Sequence, residues 1–386
     1  MALSLAAVLA TALMPATTLA DEALVEQRPT LHYPLRLDVV ATGLAFPWSL
    51  AFLPDGRALV SERGGSLALI DNGQVTRLEG MPEVSARGQG GLFDLALHPD
   101  YGDGEHDWLY FSWARPAPDD DDREGDATAL SRVWFDGNHL GDTEHLFTQN
   151  RFSRPGRHYG GRIAWLPDTT LMLSIGDRGV DKSRAQDPGD HAGSLLHLTE
   201  LGEPVSDPEG QPTFPDLPEA DPALYSMGHR NPQGLAVAAD GTLWSTEHGP
   251  RTGDELNRLL PGENYGWPEV TLGRDYVTNL PIGKESAPGM QDPVHVFEGR
   301  FAPSGLAVVQ SELLPAWNGD LLAGGLRGER LVRLRLDGDT LVEREVVLNG
   351  EAGRLRDVRQ GPDGGIYLLT DDDPGRLLRL SPATND

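Results

Sequence analysis

One short pattern recurs six times along this chain: an apolar alternating run, a turn of the Pro-Asp-Gly type and a second alternating run. The copies span residues 50–61, 95–113, 163–176, 235–247, 306–324 and 358–370, and the fifth has lost the turn sequence. Apolar alternation on both sides of a tight turn is typical of a β-hairpin. Hairpins that repeat every 40 to 75 residues indicate a β-propeller with one copy in each blade. We therefore expect an all-β fold, a six-bladed β-propeller with four-stranded antiparallel blades.

Composition agrees with such a fold and narrows the class of partner. The chain has 46 glycines and 30 prolines, which suits a fold with many turns. No long run shows the periodicity of an amphipathic helix. It has no cysteine, which excludes disulfides and thiolate chemistry. The formal charge of −27 argues against a nucleic acid or an anionic membrane surface as partner.

The N-terminus suggests export. Residues 1–20 are apolar and small and end in Thr-Leu-Ala before an acidic pair, which predicts a signal peptide. No Lys or Arg precedes Arg28, so the alternatives are a true start upstream or a segment that is not a signal. We expect residues 21–34 to be an N-terminal linker and residues 35–382 the propeller domain. The expected location is periplasmic or secreted, with no membrane span.

Two polar segments flank the third repeat. His158 lies in Arg-His-Tyr-Gly-Gly-Arg just before it, and Asp177 lies in Gly-Asp-Arg-Gly just after its second strand. A blade can bring these segments together, and an aspartate that faces a histidine holds one imidazole tautomer and raises its basicity. The pair is a candidate for acid–base chemistry; the alternative is a surface histidine beside a Gly-Asp turn.

A third segment, Gly-His-Arg-Asn-Pro-Gln-Gly at 228–234, precedes the fourth repeat. The proline after Asn231 favours an extended backbone around the guanidinium of Arg230 and the amide of Asn231. That arrangement suits a planar, oxygen-rich ligand, and a purely structural turn is an equal alternative.

Glycine, proline and acidic residues concentrate at 247–250, 253–257 and 262–268. Such loops free backbone carbonyls to point inward, and hard cations such as Ca²⁺ prefer oxygen ligands. We therefore expect a bound ion here.

Arginines cluster near the last repeat. Arg354 and Arg356 alternate along one strand and so project from the same face, and Arg327 precedes them. Together they predict a cationic floor for a multiply anionic ligand. The alternative is ion pairing with nearby Asp and Glu.

These segments resemble, in order and spacing, the soluble pyrroloquinoline-quinone (PQQ) dependent glucose/sorbosone dehydrogenase family, and within it the aldose sugar dehydrogenase branch. The resemblance covers about residues 44–380. The motifs that carry it are Pro-Trp-Ser at 47–49, Gly-Gln-Gly-Gly-Leu at 88–92, the segments at 158–162, 176–179 and 228–234, Glu-His-Gly-Pro at 247–250, Gly-Asp-Glu-Leu-Asn at 253–257, Asn-Tyr-Gly-Trp-Pro at 264–268 and Arg-Leu-Arg-Asp-Val at 354–358.

The resemblance implies a role for each matching residue. His158 would be the general base, Asp177 its orienting partner and Arg230 a further catalytic residue. The PQQ and substrate contacts would be Gln89, Arg230, Asn231, Tyr276, Leu326, Arg327, Gly328, Arg354, Leu355 and Arg356. The carbonyls of Gly249 and Pro250 would hold the Ca²⁺ beside PQQ, and Glu255 and Tyr265 a second, structural Ca²⁺. Position 327 departs from the family, which usually has lysine there.

The implied reaction is the oxidation of an aldose at the anomeric carbon to the lactone, with hydride transfer to PQQ, assisted by Ca²⁺. The reduced quinone would pass electrons to an external acceptor. No insertion resembles the long loops of the dimeric members, which favours a monomer. Two other functions stay open: a Ca²⁺-dependent propeller lactonase, which has no need of the arginines at 230, 354 and 356, and a non-catalytic binding propeller.

Overall fold

The computed structural model describes residues 23–118, 124–154, 156–205 and 212–383. These residues form strands and two short 3₁₀-helices, Lys182–Gln186 and Pro315–Trp317. In chain order the strands are β1 (Ala23–Pro29), β2 (Pro34–Leu44), β3 (Pro47–Phe52), β4 (Ala58–Glu62), β5 (Leu67–Asp71), β6 (Gln74–Leu78), β7 (Leu92–Leu97), β8 (Trp108–Pro116), β9 (Asp126–Phe135), β10 (Leu140–Thr148), β11 (Ile163–Trp165), β12 (Leu171–Ile175), β13 (Ser194–Leu198), β14 (Leu224–Ser226), β15 (Pro232–Val237), β16 (Leu243–Glu247), β17 (Glu255–Leu259), β18 (His295–Val296), β19 (Pro303–Val308), β20 (Leu321–Gly325), β21 (Arg330–Asp337), β22 (Thr340–Asn349), β23 (Leu355–Gln360), β24 (Ile366–Thr370) and β25 (Gly375–Pro382).

The strands form six antiparallel sheets, which confirms the predicted six-bladed propeller. Five sheets have four strands in sequence order, β3–β6, β7–β10, β11–β14, β15–β18 and β19–β22. Each predicted hairpin forms the two inner strands of one blade, such as β3 with β4 and β23 with β24. The innermost strand of every blade contacts the innermost strands of both neighbours, so the six close a ring.

The sixth blade joins the two ends of the chain. Its order is β1-β2-β25-β24-β23, and β2 pairs with β25 from Leu35 opposite Pro382 to Leu44 opposite Gly375. Strand β1 adds a fifth strand, so residues 23–29 of the segment expected as a linker lie in the sheet. The expected signal segment, residues 1–20, lies outside the described residues.

Apolar side chains between neighbouring blades form the core. Tyr110 and Leu130 of the second blade pack with Ile163 and Leu171 of the third in one buried cluster. Each fully buried side chain of this size stabilises the fold by about 1.5–3 kcal/mol relative to exposure. The blades are therefore held to one another by the hydrophobic effect, while hydrogen bonds hold each blade together.

A set of four charges crosses the axis of the ring. Arg162 lies 2.8 Å from Asp357 and 3.4 Å from Asp94, and Arg359 lies 2.6 Å from Asp94 and 3.0 Å from Asp357. The four residues come from three blades, and all but Arg359 are buried. Because the two positive charges balance the two negative ones, the axis is filled by a neutral network. In the part of the chain that the structure describes, no helix has the length and apolar character to cross a bilayer.

Candidate active site

The starts of the innermost strands meet at one mouth of the ring. Trp48, Gln89, Tyr159, Asn231, Ala302 and Arg356 lie at or just before the first residues of the six strands, and all line one cavity of about 250 Å³. The last residues of the same strands line a cavity at the opposite mouth. The loops that contain the candidate catalytic and binding residues therefore converge on one face of the ring.

His158 and Asp177 form the predicted pair at this face. Nδ1 of His158 lies 2.6 Å from Oδ1 of Asp177. The loop turns sharply here, with φ of 53° at His158, and its backbone N–H donates to Oε1 of Gln89 at 2.8 Å. The imidazole is 13% exposed, and among the described residues its Nε2 has no hydrogen-bond partner.

The surroundings keep this imidazole neutral. Burial lowers the pKa of His158 below its usual value, against the opposing effect of Asp177, and the nearby Arg230 lowers it further. With Nδ1–H donating to Asp177, the lone pair of Nε2 faces outward. His158 is thus set up to accept a proton.

Asp177 is held as a carboxylate by three donors. Besides the imidazole, the N–H of Gly179 donates to Oδ1 at 2.8 Å and the indole Nε1 of Trp267 donates to Oδ2 at 2.8 Å. Burial raises the pKa of Asp177, but the hydrogen bond from His158, the charge of Arg230 and the N–H of Gly179 outweigh it and hold the pKa below its usual value. The aspartate therefore stays ionised.

Arg230 lies beside the pair. Its Nη1 donates to the carbonyls of His248 and Gly249, each at 3.1 Å, and its Nη2 lies 3.4 Å from the hydroxyl of Tyr276. The guanidinium also faces the ring of Trp267 at 5.3 Å. Its Nε is buried without a partner among the described residues. A buried N–H of this kind leaves one donor for a ligand.

The cavity wall is strongly cationic. Four arginines line it, Arg63, Arg327, Arg354 and Arg356, against one carboxylate, Asp371. Asp371 bridges Arg354 at 2.5 Å and Arg356 at 2.9 Å. The arginine cluster thus has features of both alternatives, a cationic floor and ion pairing with acidic residues. Two arginines share one ion-pair partner, and the wall keeps a net positive charge.

Four of the predicted cofactor residues do not line this cavity: Arg230, which lies beside the His158–Asp177 pair, and Leu355, Gly328 and Tyr276. The side chain of Leu355 is buried in the apolar core between the last two blades. Gly328 packs on Phe301 and donates its N–H to the Phe301 carbonyl at 2.9 Å. Tyr276 is 53% exposed and reaches the site through Arg230. Leu326 and Arg327 line the cavity as expected.

A second, much smaller cavity of about 10 Å³ adjoins Arg230. Glu247, Glu255, Gly249 and Tyr265 are among its lining residues. Glu247 accepts hydrogen bonds from His229, from Asn257 and from the N–H of Arg230. Among the described residues the side chain of Glu255 has one hydrogen-bond contact, at 3.4 Å with Asn257. Its burial and the charge of Glu247 raise its pKa well above the usual value. Two carboxylates beside a space for one small ion are an arrangement that a cation would stabilise.

The other predicted metal ligands already have protein partners. The carbonyl of Pro250 accepts from the N–H groups of Thr252 and Arg274. The hydroxyl of Tyr265 donates to the carbonyl of Arg258 and accepts from the N–H of Leu260. Carbonyls have two lone pairs, so Gly249, whose carbonyl accepts only from Arg230 among the described residues, keeps capacity for an ion, whereas Pro250 would have to give up one of its two hydrogen bonds.

Sequence reasoning missed several residues of the site. It assigned no role to Glu247, Trp267, Asp371 or Gln233, whose amide oxygen accepts from Arg356 at 3.0 Å. Glu247 and Trp267 lie within motifs that the sequence did mark. Asp371 directly follows β24 and lies opposite Arg354 across the sixth predicted hairpin, so the register of that hairpin was the signal that could have found it.

Comparison with known proteins agrees with this geometry. A profile described as "Glucose / Sorbosone dehydrogenase" matches residues 44–379. The aldose sugar dehydrogenase YliI of Escherichia coli is 36% identical over 90% of this chain and 93% of its own length. A solved apo-form structure of the E. coli soluble aldose sugar dehydrogenase superposes with a TM-score of 0.82, at 34% identity over 90% of this chain and 99% of that one. A PQQ-bound aldose sugar dehydrogenase from Streptomyces coelicolor superposes with a TM-score of 0.73, at 33% identity over 92% of this chain and 99% of that one.

The fold and the arginine-lined mouth thus define a dehydrogenase built on a six-bladed propeller. The chain belongs to the glucose/sorbosone dehydrogenase family.

Proposed function

We propose that this protein oxidises aldose sugars at the anomeric carbon to the lactone, with PQQ as redox cofactor and Ca²⁺ as its companion ion. The observation that carries the proposal is the imidazole of His158, whose Nδ1 lies 2.6 Å from Asp177 and whose backbone N–H donates to Gln89 in the wall of the cationic cavity. Two relatives support the same chemistry: one is named an aldose sugar dehydrogenase, and the structure of another was solved with PQQ bound.

The residues present fit a planar polyanion. Arg327, Arg354 and Arg356 would pair with its carboxylates, and Gln89 and Asn231 line the same cavity. The unpartnered Nε of Arg230 offers a further buried donor. When bound, PQQ supplies the electrophilic quinone that accepts a hydride.

The chain itself then handles the proton and the charge. Nε2 of His158 takes the proton of the anomeric hydroxyl, and Asp177 stabilises the imidazolium that results. Arg230 stabilises negative charge that develops next to it, in a site where burial strengthens the interaction. A base in this position contributes about 10²–10⁴-fold to the rate.

Calcium has two candidate positions. The carbonyls of Gly249 and Pro250, next to Arg230, would hold the ion beside the cofactor, where it would act as a Lewis acid. Glu255, with Glu247 and the segment around Tyr265, would hold the second ion. The raised pKa of Glu255 supports the second position, because a cation would offset the repulsion between the two carboxylates.

We also propose that residues 1–20 direct export, so that the enzyme works in the periplasm or outside the cell as a monomer. Its electrons would go to an external acceptor.

The test is a titration of purified protein with PQQ, with and without Ca²⁺, followed by absorbance. We expect saturable uptake of one PQQ, stronger with Ca²⁺, and dye-linked glucose oxidation by the loaded protein. His158→Ala should bind PQQ and lose most of the turnover. Lactone cleavage without quinone, or no saturable uptake, would contradict the proposal.

A further inference from the structure

We propose that His98, Asp100, His106 and Glu200 form a site for a divalent transition-metal ion, at the mouth opposite the candidate active site. This inference is independent of the dehydrogenase reaction. The four residues lie in the loop between β7 and β8 and in the turn after β13, in neighbouring blades.

The position follows from the strand that precedes the loop. Gln89 lies just before the first residue of β7, and His98 directly follows its last residue, Leu97. A strand of this length spans about 20 Å. The cluster is therefore remote from His158 and from both proposed calcium positions.

The ligand atoms are already close to one another. One ring nitrogen of each of His98 and His106 and a carboxylate oxygen of Asp100 lie within 4.8 Å of one another. Nε2 of His98 lies 3.0 Å from Oε2 of Glu200. The N–H of Asp100 donates to Nδ1 of His98 at 3.1 Å, so Nε2 is the nitrogen that would bind the ion. Two ligands bound at about 2.1 Å, with roughly 90–110° between them, are about 3.0–3.4 Å apart, so an ion would replace the direct contact of Nε2 with Glu200 with little movement of either residue. The Asp100 carboxylate, 4.0 Å from Nδ1, would turn towards that ion.

The imidazole of His98 is preorganised. Its side chain is 2% exposed and packs edge-on against Trp165, with the ring centroids 5.3 Å apart. The hydroxyl of Tyr110 donates to the carbonyl of Glu200 at 3.0 Å and so fixes the partner from the next blade. One half of the site is thus rigid before any ion binds.

His106 supplies a ligand in the orientation that metal sites use. Its Nδ1 lies 2.7 Å from Oδ2 of Asp103, which leaves Nε2 as the outward nitrogen. A carboxylate behind the second ring nitrogen fixes the tautomer of most metal-binding histidines. The ring of His106 stacks on that of His98, with the centroids 4.8 Å apart and an interplanar angle of 15°, so the in-plane lone pairs of the two rings do not meet at one point. To reach an ion held by His98, the exposed His106 and its partner Asp103 would turn out of this stack together.

The donor set decides the class of ion. Two imidazoles with one or two carboxylates suit Zn²⁺, Ni²⁺ or Cu²⁺, whereas Ca²⁺ prefers oxygen ligands alone. An ion bound here would tie the second blade to the third, so its binding should stabilise the fold.

The test is calorimetric titration of the purified full chain with Zn²⁺, in buffer with excess Ca²⁺ and without PQQ. We expect uptake of one Zn²⁺ that Ca²⁺ does not prevent, together with a rise in thermal midpoint. His106→Ala should weaken that uptake at least tenfold and remove the rise, and Asp100→Asn should weaken both.

The chain offers a matched control. His139 lies 3.3 Å from Asp136 with the same three-residue spacing as His106 and Asp103, but it has no second imidazole against its ring among the described residues. His139→Ala should bind Zn²⁺ like the wild type. Equal Zn²⁺ affinity in the wild type and in His106→Ala, or equal losses in the two variants, would overturn the proposal.

Discussion

The indole nitrogen of Trp267 donates to Oδ2 of Asp177 at 2.8 Å, while Nδ1 of His158 lies 2.6 Å from Oδ1. The same indole faces the guanidinium of Arg230. Trp267 therefore touches both the partner of the proposed base and the cation beside it. It is a positioning residue, and it links the acid–base pair to the loop that we propose binds calcium.

Trp267→Phe tests this role, because it removes the N–H and keeps a ring against Arg230. Asp177 then has one donor fewer, so its negative charge acts more strongly on His158 and raises the imidazole pKa. Loss of a hydrogen bond to a charged group costs about 1.5–3 kcal/mol. If this cost falls on the transition state, the rate decreases roughly ten- to a hundredfold. We expect the acid limb of kcat/KM against pH to move to higher pH. Trp317→Phe is the control, since that buried indole N–H has no partner among the described residues; similar profiles for both variants would contradict the assignment.

Arg230→Gln should also shift the pH profile. The base works only as neutral imidazole, and burial and Arg230 hold the pKa of His158 below 6.5. The wild-type rate should therefore be full above that pH and fall as the pH drops through the lowered pKa. Without Arg230 the pKa rises, so the acid limb should move upward while the maximal rate also falls. Arg157 affects the same imidazole less strongly, and Arg157→Gln should give a smaller shift in kcat/KM; a larger shift would be evidence against this geometry.

Arg356→Leu should weaken PQQ binding. Arg356 is buried in the cavity wall and shares Asp371 with Arg354, so its removal leaves one fewer cation for a carboxylate of the ligand. Loss of one charge-assisted interaction predicts about ten- to a hundredfold weaker uptake in the absorbance titration. Arg376→Leu removes a guanidinium that donates to the Ala352 carbonyl outside the cavity, and it should bind PQQ normally. Unchanged affinity in Arg356→Leu would exclude the proposed pairing.

Whether Glu255→Gln raises or lowers the thermal midpoint relative to the wild type should depend on calcium. The folded-state pKa of Glu255 is raised, so its contribution is full at low pH and is lost as the pH rises through that pKa. In EDTA at alkaline pH we expect Glu255→Gln to melt at a higher temperature than the wild type. With Ca²⁺ the order should invert, because only the wild type binds the ion. Glu263→Gln, in a neighbouring loop, serves as control in the same thermal melts; a calcium response retained by Glu255→Gln would argue against the second position.

Arg162→Met should strongly destabilise the ring. Arg162 is buried between Asp94 and Asp357, and its removal leaves excess negative charge on the axis. Breaking such a buried pair costs about 3–5 kcal/mol. Arg379 pairs with Asp363 on the surface, where Arg379→Met should cost about 1 kcal/mol or less. Urea unfolding of both variants measures the difference, and equal midpoints would be inconsistent with the axial network.

The fold was predictable because the inner hairpin of each blade is local in sequence. Alternation around one turn specifies β3 with β4 as well as it does β23 with β24. Strand β1 was not predicted because it lies at the edge of its sheet. About half of its residues face water, so it has little apolar alternation. Its partner is fixed by closure of the ring, which no local pattern encodes.

The same distinction applies to the site. His158 and Asp177 flank a single hairpin, so their meeting could be inferred from the sequence. The contact of Trp267 with Asp177 joins residues 90 positions apart, and that of Gln233 with Arg356 joins residues 123 positions apart. The first contact joins loops of the third and fourth blades, and the second joins the innermost strands of the fourth and sixth blades across the mouth of the ring. The side chain of Leu355, named among the cofactor contacts with its arginine neighbours, lies in the core, because alternation along a strand turns every second side chain away from the pocket.

The pairing of β2 with β25 sets the order in which the molecule can be completed. During synthesis β2 emerges early, yet its partner β25 is made only after the five other blades. Until then β2 presents an open edge, a surface prone to pairing with other chains. A product that stops before residue 375 would keep five complete blades and lose closure, so the ring can form only after β25 has been made.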